Sequence, residues 1–246
     1  MSLKNLLLSS ISNCANIVGA EINFANKFPK ANLQALFHLT AKSGLTVNKI
    51  FDIGANRAGW SSEAAKFYPN AEFTLVEPLH EMEPFINSFL NKRSNSQLIK
   101  GCLGSSSCKR EFVVTENLVS SSLYIPVENA SKEQVRVVDV LTLDDLIAMR
   151  GLPDIVKIDA EGAEFEILKS GVMIRKCELV LLELPFFSVQ PNVPIFSEMV
   201  AYMSEIGFEP YHFTWFAPRP HDGAMALCEL AFAKQDGFLR RFQGWY

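Results

Sequence analysis

The sequence predicts an α/β fold in which a mostly parallel sheet carries helices on both faces. Strand-like and helix-like segments alternate from about Lys49 to the end, the pattern of a doubly wound domain. A glycine-bearing turn follows the first strand directly, where such sheets place their ligands. The last two strand-like segments have only a loop between them, from Thr214 to Ala224, which implies an antiparallel hairpin.

Taken in order, Lys49 to Ile53 is a short apolar run ending at glycine, and Trp60 to Phe67 continues as a helix. Phe73 to Val76 is the next strand, closed by Glu77-Pro78, and Met82 to Leu90 reads as a helix. Gln97 to Leu103 reads as a third strand, with Glu111 to Thr115 as its extension or a hairpin. A polar segment rich in Ser and Asn, Glu116 to Gln134, precedes a strand-like run from Val135 to Val140. Thr142 to Met149 starts a helix with Asp144 and Asp145 in its first turn, where the helix dipole favours acids. Ile155 to Asp159 is the fourth principal strand, followed by a helix from Glu164 to Lys169. Leu179 to Leu184 is the fifth, Val193 to Ile206 a helix stopped by Gly207, and Phe208 to Phe213 and Met225 to Ala233 close the sheet.

A chain of 246 residues is long enough for one large α/β domain and too short for two ordinary ones. Residues 1–47 are expected to form a helical N-terminal extension, and residues 48–246 the ligand-binding domain. The opening stretch is weighed as a signal peptide, but Ser9, Ser10, Ser12, Asn13 and Asn16 break its apolar run. Leu6, Leu7, Ile11, Ala15 and Val18 fit a helical stripe better. No stretch reaches the ~20 apolar residues of a membrane span, so the expected address is cytoplasmic. A net charge of −4 without a concentrated run of Lys and Arg argues against a nucleic-acid partner. The five cysteines have no C-x-x-C pair and the four histidines are scattered, so neither a disulfide framework nor a zinc site is indicated.

Three places carry chemistry. In FDIGANRAGWS, residues 51–61, Gly54 opens backbone conformations closed to other residues, and Asn56 is the next best residue for a left-handed turn. Asp52 decides between cofactors. A carboxylate at the strand tip would repel the diphosphate of NAD and favour the sulfonium and ammonium charges of S-adenosylmethionine. Glu77, 25 residues later at the end of the next strand, can accept two hydrogen bonds from a ribose diol. In DIVKIDAEGAEFEILKSG, residues 154–171, Lys157 and Asp159 share one face of the strand, and a lysine in so apolar a run needs a partner. Asp159 and Glu161 stand at the carboxyl end, whereas Glu164 and Glu166 fit ordinary first-turn helix acids.

FDIGAN, LVEP, VRVVDVLTLDDL, VKIDAEGAEFEILKSG and LLELPF occur in the order seen in the FkbM family of methyltransferases, and the sequence resembles that family over roughly residues 45–234. The resemblance implies a class I methyltransferase, Rossmann-like, with a seven-stranded sheet in the order 3-2-1-4-5-7-6 and one antiparallel strand. It implies S-adenosylmethionine as methyl donor and O-methylation of a sugar, glycan or polyketide-like hydroxyl. Carried over by position, Asp52, Gly54, Asn56 and Glu77 would bind the cofactor, and Asp159 and Glu161 match the motif at the fourth strand. The departure is Ala58, where many relatives have glycine; alanine serves there if its φ is negative.

An alcohol needs its proton removed as the new bond forms, and Asp159 and Glu161 are the candidates for that base or for a pair that positions the acceptor. His212 and His221 are the alternatives near the ends of the last strands. Paired carboxylates can also hold Mg²⁺, but no dedicated third ligand is seen and no metal is expected. The acceptor is expected under the loops Pro185 to Pro194 and Thr214 to Gly223. There Phe186, Phe187, Trp215 and Phe216 either stack on a sugar or alkyl chain or fill the core or a subunit interface. An NAD-dependent oxidoreductase agrees with the glycine turn and Glu77 but not with Asp52 or the motif at residues 154–171, and a non-catalytic Rossmann-like binding protein is the remaining alternative.

Overall fold

Seven strands, buried on both faces at their centre, form the main sheet of a computed structural model that describes residues 32–188, 193–242 and 244. The strands are β1 (Lys49–Ile53), β2 (Glu72–Val76), β3 (Gln97–Ile99), β7 (Ile155–Ile158), β8 (Leu179–Pro185), β9 (Phe208–Pro218) and β10 (Met225–Lys234). Their spatial order is β3-β2-β1-β7-β8-β10-β9. The first five pair in parallel, and β10 runs antiparallel to both β8 and β9.

Three more strands, β4 (Cys102–Leu103), β5 (Cys108–Val113) and β6 (Val135–Leu141), make a second sheet in the order β4-β6-β5. The expected arrangement had one sheet and a single antiparallel strand. It differs from the observed one in lacking these three strands, of which β5 and β6 are themselves antiparallel. The reason lies at Gly101, which divides the apolar run Gln97 to Leu103. A Cβ there would lie 2.5 Å from the carbonyl oxygen of Asp139, so the chain leaves the main sheet by pressing bare backbone against β6.

The helices are α1 (Leu33–Lys42), α2 (Gly59–Phe67), α3 (Glu83–Leu90), α4 (Leu143–Arg150), α5 (Glu164–Lys169) and α6 (Phe196–Glu205). Side chains that alternate along each strand sort into two cores, one per face. Phe51, Ile53, Val156, Ile158, Val180 and Leu182 pack with α4, α5 and α6. Ile50, Ile155, Leu179 and Leu181 pack on the opposite face with α1, α2 and α3. In that second core Phe37 of α1 meets Trp60, Phe67 and Tyr68 at ring distances of 5.3, 5.7 and 6.0 Å, and burying it contributes about 1.5–3 kcal/mol. Thus α1, at the end of the expected 1–47 extension, shares its core with the sheet; residues 1–31 of that extension lie outside the described residues.

The closing hairpin is longer than its sequence implied. β9 continues to Pro218, which places Trp215 and Phe216 on a strand and not in a loop. Pairing passes from Leu230–Phe213 to Glu229–Trp215, leaving Thr214 as an extra residue in a bulge. That bulge breaks the two-residue alternation just where the apolar pattern was taken to end. Of the other acceptor loop, residues 189–192 lie outside the described residues.

Candidate active site

The turn after β1 is forced by close approach of two strand tips. Gly54 has φ +77°, and a Cβ on it would sit 1.8 Å from the carbonyl oxygen of Asp159, so no side chain fits. The N–H groups of Gly54 and Ala55 both donate to the carbonyl of Val76, at 3.0 and 3.1 Å, tying this turn to the tip of β2. Asn56 follows with φ +47° and Ala58 with φ +58°. The left-handed Ala58 corrects the expectation of a negative φ there. This conformation costs an alanine about 1–2 kcal/mol, and its fully buried methyl offsets part of that.

Glu77, nearly buried just past β2, accepts the N–H of Asn56 at 2.7 Å on one carboxylate oxygen and that of Leu79 at 3.0 Å on the other. Burial pushes its carboxyl above the usual range, while these two bonds oppose the shift. Each oxygen keeps a free lone pair for a ligand hydroxyl.

At the tip of β7, Lys157 is buried with its Nζ 3.0 Å from Asp159 Oδ2 and 3.9 Å from Asp52 Oδ1. Burial works against the ammonium, but the charges of Asp159 and Asp52 outweigh it and hold its pKa above the ordinary lysine value. Asp52 is fully buried: Ser61 donates its hydroxyl to Oδ2 at 2.5 Å, and Oδ1 accepts no hydrogen bond among the described residues. Burial raises its carboxyl and the Lys157 charge lowers it, with a net rise.

The loop Asp159-Ala160-Glu161-Gly162 is closed by Glu164, whose buried carboxylate accepts the N–H of Ala160 at 2.7 Å and that of Gly162 at 3.1 Å. Glu164 is therefore the clasp of this loop, a more specific task than that of a first-turn helix acid. Glu161 takes φ +50°, and its carbonyl accepts the Ser122 hydroxyl at 2.7 Å. Its carboxylate makes no hydrogen bond or ion pair among the described residues. Burial first, then the charges of Asp159 and Glu164, push it up to about 7.

One cleft, about 680 Å³ with its open mouth, joins these parts. Gly54, Asn56, Glu77, Asp159 and Glu161 all line it, whereas Asp52 lies behind the turn and does not. The rest of the lining includes residues of the second sheet and of the loop between β5 and β6, through Cys102, Phe112 and Leu118. Burial and the nearby Glu77 charge push the Cys102 thiol up to about 12. The sequence held no catalytic pattern in this wall; its signal was the apolar residues Leu118, Val119 and Leu123 inside a polar segment, with Leu118 here at φ +63°.

A second group lies beyond β7. Glu183 on β8 and Glu229 on β10 are register partners, and Trp215 on β9 pairs with Glu229 from the other side. Glu229 is held by the Thr214 hydroxyl of the bulge. The Glu183 carboxylate has no such partner among the described residues, and burial with the Asp159 and Glu161 charges raises it well above the carboxylate range. Sequence reasoning missed Glu183, although an acid inside LVLLELP carries the same signal as Lys157 inside its own strand. Phe187, Trp215 and Phe216 are each about 40 % exposed at this end. Phe186 stacks on Phe196 at 4.7 Å and belongs to the core. His212 lies within β9, and His221 in the exposed hairpin loop.

Among the described residues, no group of three or more His, Cys, Asp or Glu is arranged to hold a metal ion, and no helix is long and apolar enough to cross a membrane. A family model described as the methyltransferase FkbM domain matches residues 52–210. No curated protein matches the chain. Among solved structures, it is similar to a precorrin-6y C5,15-methyltransferase from Geobacter metallireducens GS-15 at 15% identity, over 86% of this chain and 93% of that one, with a TM-score of 0.43. It is similar to magnesium protoporphyrin IX methyltransferase from Synechocystis PCC 6803, with bound S-adenosylmethionine, at 11% identity over 92% and 91% and a TM-score of 0.46. A putative RNA methyltransferase from Pyrococcus horikoshii matches at 16% identity over 91% and 98%, with a TM-score of 0.44.

Proposed function

The chain belongs to the FkbM methyltransferase family, and on that footing we propose that it methylates a hydroxyl of a sugar, glycan or polyketide-like acceptor. S-adenosylmethionine, the cofactor, supplies an electrophilic methyl group on a cationic sulfur. The residues present fit it. Gly54 and Asn56 give a turn whose backbone a ligand can approach, and Glu77 keeps lone pairs for a ribose diol after accepting two N–H groups. Asp52 acts by the field of its carboxylate from behind the turn, not by contact.

The observation that carries hydroxyl methylation is the Glu161 carboxylate, which lines the cleft, has no hydrogen-bond or ion-pair partner among the described residues and sits near neutral in its affinity for a proton. A hydroxyl must give up its proton as the new bond forms, and a base poised near the working pH takes it best. Asp159, fixed by Lys157, orients the acceptor beside it. Phe187, Trp215 and Phe216 offer the acceptor an apolar face.

The test is turnover. Incubation with a panel of glycans and polyketide-type alcohols should yield S-adenosylhomocysteine and a product heavier by one methyl group on oxygen. Methyl on nitrogen or carbon, or near-normal turnover in both Glu161→Gln and Asp159→Asn, would overturn the assignment.

A further inference from the structure

The methyl donor carries a positive sulfonium and its product does not, so the charge of the protein around it can tell the two apart. The group that governs this charge is Lys157. It is 6 % exposed and reaches two strand tips, with Asp159 Oδ2 at 3.0 Å and Asp52 Oδ1 at 3.9 Å. Register explains the reach: Asp52 on β1 is the lateral partner of Lys157 on β7, and Asp159 is two residues on, along the same face. Asp52 Oδ1 is fully buried and accepts no hydrogen bond among the described residues, so Lys157 is the nearest cation to an otherwise orphaned oxygen.

We propose that Lys157 is a positioning residue that clamps Asp159 at the lip of the cleft and supplies the counter-charge for Asp52 behind the glycine turn, so that the site favours the cationic methyl donor over its neutral product. The proposal rests on the placement of the cofactor given above. Other acids also act on Lys157: Glu229 on β10 most strongly, with Glu77, Glu161 and Glu183 feeling its charge in turn. None of these four makes an ion pair with it among the described residues, so Asp52 and Asp159 are the two acids it meets as ion pairs.

Without the ammonium, burial favours the neutral form of Asp52, and the charge of the site then follows pH. Calorimetric titration of S-adenosylmethionine and S-adenosylhomocysteine between about pH 6 and pH 9 measures this. In the wild-type chain the ratio of the two affinities should follow only the acids that titrate in this range, Glu161 and Glu164 near 7 and Glu183 above them. In Lys157→Met the preference for the cation should rise about tenfold more steeply than in wild type from the acid end to the alkaline end. Lys157→Arg should restore the wild-type profile. A purely structural lysine would weaken both ligands equally and leave the profile of the ratio unchanged in Lys157→Met, which overturns the proposal. If Lys157→Met does not fold, Asp52→Asn decides: it should lower the preference for the cation about tenfold at every pH, and an unchanged preference overturns the proposal. Glu77→Ala separates this failure from a wrong cofactor placement, because it should weaken both ligands alike whatever Lys157 does.

Discussion

The carboxyl edge of the main sheet has two halves built on different terms. From β2 through β1 to β7, every acid at the edge is engaged by the chain itself: Glu77 by two backbone N–H groups, Asp52 by Ser61, and Asp159 by Lys157. From the β7 loop toward β8, Glu161 and Glu183 have no partner among the described residues, and on β9 Trp215 and Phe216 are exposed. Groups that bind a ligand shared by the whole family can be fixed in advance, whereas groups that meet a particular acceptor are left unsatisfied until it arrives. On the proposed reading the first half holds the cofactor and the second meets the acceptor.

The comparison breaks most visibly at Gly54. Gly54→Ala puts a methyl against the Asp159 carbonyl in a left-handed conformation, and should cost about 3–5 kcal/mol, read as a lowered midpoint in urea unfolding. If the variant unfolds like wild type, the two strand tips are not locked together. On the other half, Glu161→Gln should leave the fold and the cofactor affinity intact while turnover drops about 10²–10⁴-fold. Wild-type turnover should rise with pH through about 7 as Glu161 loses its proton, and that limb should be missing in the variant.

Next in size is Glu77→Ala, which removes the proposed ribose contacts and should weaken S-adenosylmethionine by ~1–3 kcal/mol in a calorimetric titration. Proton linkage sharpens the contrast further. Glu161 and Glu164 have folded values of about 7, above their ordinary 4.5, so the folded chain holds these protons more tightly than the unfolded one. Their contribution to stability is full below about pH 4.5 and is lost as pH rises through about 7. Unfolding free energy of the cofactor-free protein should fall over that window, and less steeply in Glu161→Gln. The smallest effect is Ala58→Gly. Relief of the left-handed backbone and loss of a buried methyl oppose each other, leaving stability within about 1 kcal/mol of wild type.

The first half was also the legible one. Its residues stand in or just after short, mostly apolar strands, and Asp52, Gly54 and Glu77 sit at fixed steps along them, so position along the chain gives position in space. What the sequence did not disclose depends on contacts between distant segments. The second sheet exists because Gly101 can press against Asp139, 38 residues away in sequence. The backbone of Glu161 is braced by Ser122 from a segment that reads only as polar loop. Glu183 lay in plain view inside an apolar strand, yet its lack of a partner among the described residues is a property of the folded surroundings. The positive φ of Ala58 was likewise beyond the pattern, since an alanine gives no sign of a strained turn.

Cys102 shares the cleft with Glu77. With the cofactor placed as proposed, a thiolate in that wall would be a soft nucleophile facing an alkylating agent, and the enzyme would risk spending methyl groups on itself. With the thiol held un-ionised up to about 12, that self-inflicted reaction is suppressed at neutral pH, and the protein can keep a sulfur in the wall as mere packing. Thiol reagents should accordingly pass Cys102 by and mark Cys108, which stands exposed on the outer strand of the small sheet.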